Sequence, residues 1–130
     1  IPTTWLPVSS TFPSLSEAQK VVPFEIARPK LQEAELETVW VHAFPDWSTA
    51  RIVQVYKIGE DRLTFVQART ARPWFLPSGD RELTSENGTH IRLTTGRIYT
   101  SAKWVVGDAH FELLMEKGVL SDEQIRQMAP

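Results

Sequence analysis

The sequence predicts an α+β fold: a curved, mainly antiparallel sheet covered by a short N-terminal helix and a C-terminal helix. Three observations carry this. Short runs rich in aromatic and β-branched residues, separated by turn signals, outnumber the helical patterns. The last quarter, KWVVGDAHFELLMEKGVLSDEQIRQMA, sets two such runs around Gly107-Asp108 and leads them into a capped helix. The length of 130 residues and a hydrophobic content of 42% are enough for one packed core and argue against a disordered chain.

Residues 1–14 hold three prolines and several Ser and Thr, which predicts an extended arm, with Trp5, Leu6, Val8 and Phe12 able to dock it. A single domain over 15–130 follows. Ser14 or Ser16 caps a short helix over 15–20, Pro23 stops it, and Phe24-Glu25-Ile26 turns extended before Pro29. A meander then reads as strands over 37–43, 50–58, 61–68, 90–94, 97–101, 103–106 and 109–114, with reversals at 57–61, Thr95-Gly96 and Gly107-Asp108. Asn87-Gly88-Thr89 matches a glycosylation acceptor but reads better as a turn. Ser121 opens the last helix. Its hydroxyl and Gln124 form a capping box, Asp122 and Glu123 complement the helix dipole, and Ile125 and Met128 share one face. So short a helix must be held by the sheet.

Fourteen basic against sixteen acidic residues leave a net charge of -2, so no global field attracts nucleic acid. Without cysteine there is no disulfide, thiolate chemistry or Cys-ligated zinc. No apolar run reaches the roughly 18–20 residues needed to span a bilayer as a helix. The start lacks both an initiator Met and a signal-peptide pattern, which leaves localisation open. His42, His90 and His110 carry no HExxH spacing, and the motifs of serine hydrolases, dinucleotide folds and P-loops are missing. Glu35/Glu37 and Asp80/Glu82 read as solvated surface. Catalytic, metal and cofactor residues are therefore assigned to no position.

Arg69, Arg72, Arg97 and Lys103, with Trp74, Phe75 and Tyr99, would cradle an anion or stack bases if one sheet face displayed them, but interspersed acids favour a solvated rim. The stretch 69–87 is long for a connection. Within it Trp74, Phe75 and Leu76 stand between Pro73 and Pro77, and strand alternation does not account for all three. Either they cap the core, or they anchor a partner with Arg72 or Arg69 supplying charge recognition.

In order, VVPFEIARPKL, the strand with LTFVQ, the turn at NGTHIRL and the terminal KWVVGDAHFELLMEKGVLSDEQIRQMA resemble the bacterial DUF4367-type domain over residues 15–129. The matching positions are Val22-Pro23-Phe24, Pro29, 63–67, Trp104, Gly107, Phe111, Leu120-Ser121, Ile125 and Ala129. Two departures stand out: His110-Phe111 replaces the more usual Gly-x-x-Tyr pattern, and the region 69–86 is more elaborate. The resemblance implies an extracytoplasmic sensory or scaffolding domain of the bacterial envelope, attached to a larger membrane-linked protein, and it brings no catalytic residues. The expectation is thus a noncatalytic protein- or ligand-binding regulatory domain. A carrier of a small apolar molecule or lipid is the second reading, and a hydrolase with a dispersed histidine and carboxylate the third.

Overall fold

The computed structural model describes residues 8–31, 33–43, 47–69, 80–116 and 118–129. Among them, eight strands form one antiparallel sheet: β1 (Val8–Phe12), β2 (Ala34–Ala43), β3 (Arg51–Ile58), β4 (Asp61–Arg69), β5 (Arg81–Thr84), β6 (His90–Thr95), β7 (Tyr99–Val106) and β8 (Ala109–Glu116). Two helices, α1 (Leu15–Gln19) and α2 (Asp122–Met128), accompany them, with one 3-10 turn over Trp47–Thr49. The sheet order β1-β2-β3-β4-β8-β7-β6-β5 joins two four-stranded meanders, with the last strand docked on β4.

Turn chemistry fixes the hairpins. Gly59 and Gly107 adopt φ of 60° and 62°, the left-handed geometry that a tight reversal requires and a Cβ disfavours. Glu33 takes the same conformation (φ 56°) where the chain bends into β2, at a cost that its side chain does not relieve as glycine would.

Alternation then selects one covered face. Val39, Gln54 and Phe65 lie opposite one another across β2, β3 and β4; Leu113 and Ala102 continue the row on β8 and β7. One end of this face packs Val39, Val41 and Ile52 against Leu15 and Ala18 of α1, with Val22 and Ile26 beside them. The other end packs Leu63, Ile91, Leu93, Leu113 and Trp104 against Leu120, Ile125 and Ala129 around α2. Helix cover is therefore minor. Between the helices, the extended stretch 22–31 crosses the sheet as a strap: Ile26 belongs to the first cluster, while Ala27 and Leu31 pack on the second.

Three differences from the sequence reading have physical causes. The stretch read as an arm includes β1, whose backbone is paired to β2 from Val8↔Ala43 to Phe12↔Val39. The two runs 97–101 and 103–106 are one strand, since Thr100, Ala102 and Trp104 alternate inward without a break. Strand β5 lies inside the stretch read as irregular. It is fastened from outside: Arg81 Nη1 and Nη2 bond Asp122 at 2.8 and 3.1 Å, and Arg126 Nε donates to the Thr84 carbonyl at 3.0 Å.

Candidate functional site

Polar side chains at inward strand positions are costly unless satisfied, and two glutamines occupy such positions. Gln54 is fully buried and Gln67 nearly so. Both grip the strap. The Ala27 amide donates to Gln67 Oε1 at 2.7 Å, and Gln67 Nε2 donates to the Glu25 carbonyl at 3.1 Å. Gln54 Nε2 donates to the Ala27 carbonyl at 2.8 Å, while its Oε1 accepts from the Tyr56 hydroxyl at 2.6 Å. Burial pushes the Tyr56 hydroxyl above its usual pKa, so it stays a donor. From α1, Gln19 Oε1 accepts from the Ile26 amide at 2.9 Å, and its Nε2 donates to the Val22 and Phe24 carbonyls at 3.2 and 2.7 Å. Side chains thus satisfy a strap that has no strand partner among the described residues, and they fix where its next residues stand.

Those next residues form a wall. Ala27, Arg28, Pro29 and Lys30 face Gln127, Met128 and Ala129 of the α2 end across a hollow of about 270 Å³, open to solvent and floored by Phe65, Trp104 and Phe111. The floor is a ring cluster with centroid separations of 6.2 Å for Phe65–Trp104, 5.8 Å for Phe65–Phe111 and 5.7 Å for Trp104–Phe111. Trp104 and Phe111 are direct partners across the β7–β8 hairpin, and Phe65 joins them from β4, the neighbour of β8 in the sheet though distant in sequence. A second hollow of about 330 Å³, between Leu31, Leu120 and Gln124, shares Lys30 and Gln127 with the first. The two make one groove running between the strap and α2.

On the opposite face of the sheet, a smaller hollow of about 110 Å³ is bounded by Arg51, Val66, Ala68, Lys103, His110 and Glu112. Lys103 is engaged with Glu112 at 3.4 Å. Partial burial, reinforced by the Arg51 charge, holds His110 below the ordinary histidine pKa. His90 Nδ1 meets Glu82 Oε1 at 2.5 Å, but the pair is exposed, shares Glu82 with Arg92 and lines none of these hollows. Among the described residues no three His, Asp or Glu side chains cluster as a metal site.

Of the residues the sequence nominated for partner binding, Arg72, Trp74, Phe75 and Leu76 lie outside the described residues. Arg69 ends β4 on the covered face. Its guanidinium carbon sits 5.0 Å from the Phe24 ring centroid, and Nη2 reaches Asp108 Oδ2 at 3.3 Å, which ties the strap to the β7–β8 turn. Sequence reasoning missed the aromatic floor and the glutamine clamp. Glutamine alternating with Ile52 and Tyr56, and again with Phe65, was the readable signal for the clamp.

No protein-family model, curated protein or solved structure matches the chain.

Proposed function

We propose that this is a noncatalytic ligand-binding domain whose site is the groove between the strap and α2, with an apolar group of the ligand seated on Phe65, Trp104 and Phe111. One observation carries the reading: a cluster of three aromatic rings floors a solvent-open hollow at the centre of the covered face. Phe111 is the partly exposed ring of the floor, backed by the almost fully covered Phe65 and Trp104, so an apolar ligand gains its contact area from Phe111 and the walls around it at little conformational cost. The two connected hollows, about 270 and 330 Å³, lie near the lower end of the size range of small-molecule sites, roughly 300–1,000 Å³. The clamp by Gln54 and Gln67 supports it further, since a wall held at both the amide and the carbonyl of Ala27 is formed before any ligand arrives. Curvature of the sheet around this groove belongs to the same proposal. So do the bacterial envelope setting and attachment to a membrane-linked protein, which rest on the resemblance to DUF4367-type domains.

An apolar fluorescent probe such as N-phenyl-1-naphthylamine tests the reading. The unmodified chain should bind it with a blue-shifted, enhanced emission. Ala27→Phe, which fills the hollow, and Phe111→Ser, which removes part of the floor, should each abolish the enhancement while unfolding cooperatively. Absence of binding by the unmodified chain, or equal binding by both folded variants, would sink it.

A further inference from the structure

We infer that the groove selects a free, single-chain anionic amphiphile, its chain lying on the aromatic floor and its acidic head held at the rim by Arg28 and Lys30; this rests on the ligand-binding reading above.

The argument is one of charge left over beside apolar surface. Arg28 and Lys30 are both exposed and both border the hollow over Phe65, Trp104 and Phe111. Neither forms an ion pair among the described residues. The acidic groups closest along α2 are engaged elsewhere: Asp122 with Arg81 and Glu123 with Arg126. Among the described residues no Asp or Glu lines either half of the groove. The rim also carries the carboxamide of Gln127, whose NH₂ can donate to a carboxylate or phosphate oxygen.

Shape supports a chain over a compact ring. The groove continues past Lys30 and Gln127 to Leu31 and Leu120, so apolar walls extend on both sides of Lys30, with Arg28 at the aromatic end. A head gripped near Arg28 and Lys30 leaves its tail the aromatic floor, while the Leu31–Leu120 end takes a longer or kinked chain. A neutral apolar ligand would use the floor and leave both cations solvated. A cationic amphiphile would meet like charge at the rim.

Calorimetric titration of the whole chain with decanoate, decanol and decyltrimethylammonium, each below its micellar concentration, separates these cases. Decanoate should bind more tightly than decanol, and decyltrimethylammonium should not bind detectably. The double substitution Arg28→Gln/Lys30→Gln should weaken decanoate about tenfold, less at high salt, and leave decanol unchanged. Equal affinities for decanoate and decanol, or indifference to the double substitution, would overturn the anionic selection and leave the apolar site standing. Decanoate binding that survives both Ala27→Phe and Phe111→Ser would overturn it by placing the ligand elsewhere. Binding to phosphatidylglycerol vesicles without binding of free decanoate would mean that the two cations face a membrane, which also overturns it. If none of the three amphiphiles binds, the ligand-binding reading falls with it.

Discussion

Gln67 holds Ala27 as a neighbouring strand would, although they are forty residues apart: its Oε1 takes the Ala27 amide proton at 2.7 Å and its Nε2 bonds the Glu25 carbonyl at 3.1 Å. A side chain of β4 thereby stands in for one peptide unit of a missing strand. Among the described residues the strap lies across the sheet face without forming part of a ladder, and its far end borders the groove.

Replacing Gln67 by Leu keeps the volume roughly constant but strips both strap groups of their partner. Glu25 is exposed and its carbonyl can turn to water, whereas the Ala27 amide loses its acceptor on a half-buried residue; a buried polar group so orphaned costs about 1–3 kcal/mol, so the loss should be about 1 kcal/mol or more. Urea unfolding measures it. Gln67→Glu separates the two bonds. The carboxylate can still accept from Ala27 but repels the Glu25 carbonyl, whereas the protonated acid can both accept and donate. The destabilisation by Gln67→Glu should therefore shrink as pH falls through the pKa of the introduced acid, while that of Gln67→Leu should not vary with it. Equal loss at every pH would contradict the donor role of Nε2.

What was legible in the sequence was whatever acts over a few residues. Gly59 and Gly107 mark their hairpins because only a positive φ closes them, and Ser121 with Gln124 marks the start of α2 because its cap lies three residues away. β5 was hidden since Arg81, Glu82 and Thr84 are polar and exposed, and its anchors Asp122 and Arg126 lie some forty residues on. β1 was hidden since an edge strand tolerates Ser9, Ser10 and Thr11. The aromatic floor was hidden for a topological reason: β8 enters between β4 and β7, and no local pattern states that. A buried glutamine on an inward register position was the most specific long-range signal, because it demands a partner that the strand itself does not supply.

The capping box of α2 should be measurable on its own. Ser121 Oγ accepts the Gln124 amide at 3.2 Å, and the Ser121 amide donates to Gln124 Oε1 at 2.8 Å. Ser121→Ala removes the first bond and should cost about 1 kcal/mol. Since α2 supplies Gln127 and Met128 to the groove, with Ala129 just beyond its end, the same variant should raise hydrogen exchange of the helix amides before global unfolding. Unchanged exchange would show that tertiary packing alone holds the helix.

Two surface pairs should shape the acid side of the stability curve. The hydrogen bond from Arg81 holds Asp122 below the ordinary carboxylate pKa, and that from Arg62 does the same for Glu37. A carboxylate depressed in the folded state contributes stability that is full above its unfolded pKa, about 4, and is lost as pH falls through the folded value. Asp122→Asn and Glu37→Gln should accordingly lower stability at neutral pH and flatten the decline below about pH 4. Both pairs are exposed, so high salt should diminish the effect. A decline as steep in the double variant as in the unmodified chain would assign acid sensitivity to other groups.

His110 works at higher pH with the same sign. Its pKa is lowered first by partial burial and then by the Arg51 charge; Glu112 pulls it upward, and Lys103 adds to the lowering. The unfolded chain, with an ordinary histidine pKa near 6.5, then takes up the proton more readily than the folded one. The stability associated with His110 is thus complete above about pH 6.5 and falls as pH drops from there through the folded pKa. The Cε1 proton resonance of His110 should titrate with a midpoint below that of a model histidine, and Arg51→Gln should move the midpoint up. His110→Asn should remove the part of the stability loss that occurs between the two pKa values while leaving the carboxylate-driven loss at lower pH in place. A midpoint above that of a model histidine would mean that Glu112 outweighs burial, Arg51 and Lys103 together, and the slope of stability against pH in that window would then reverse.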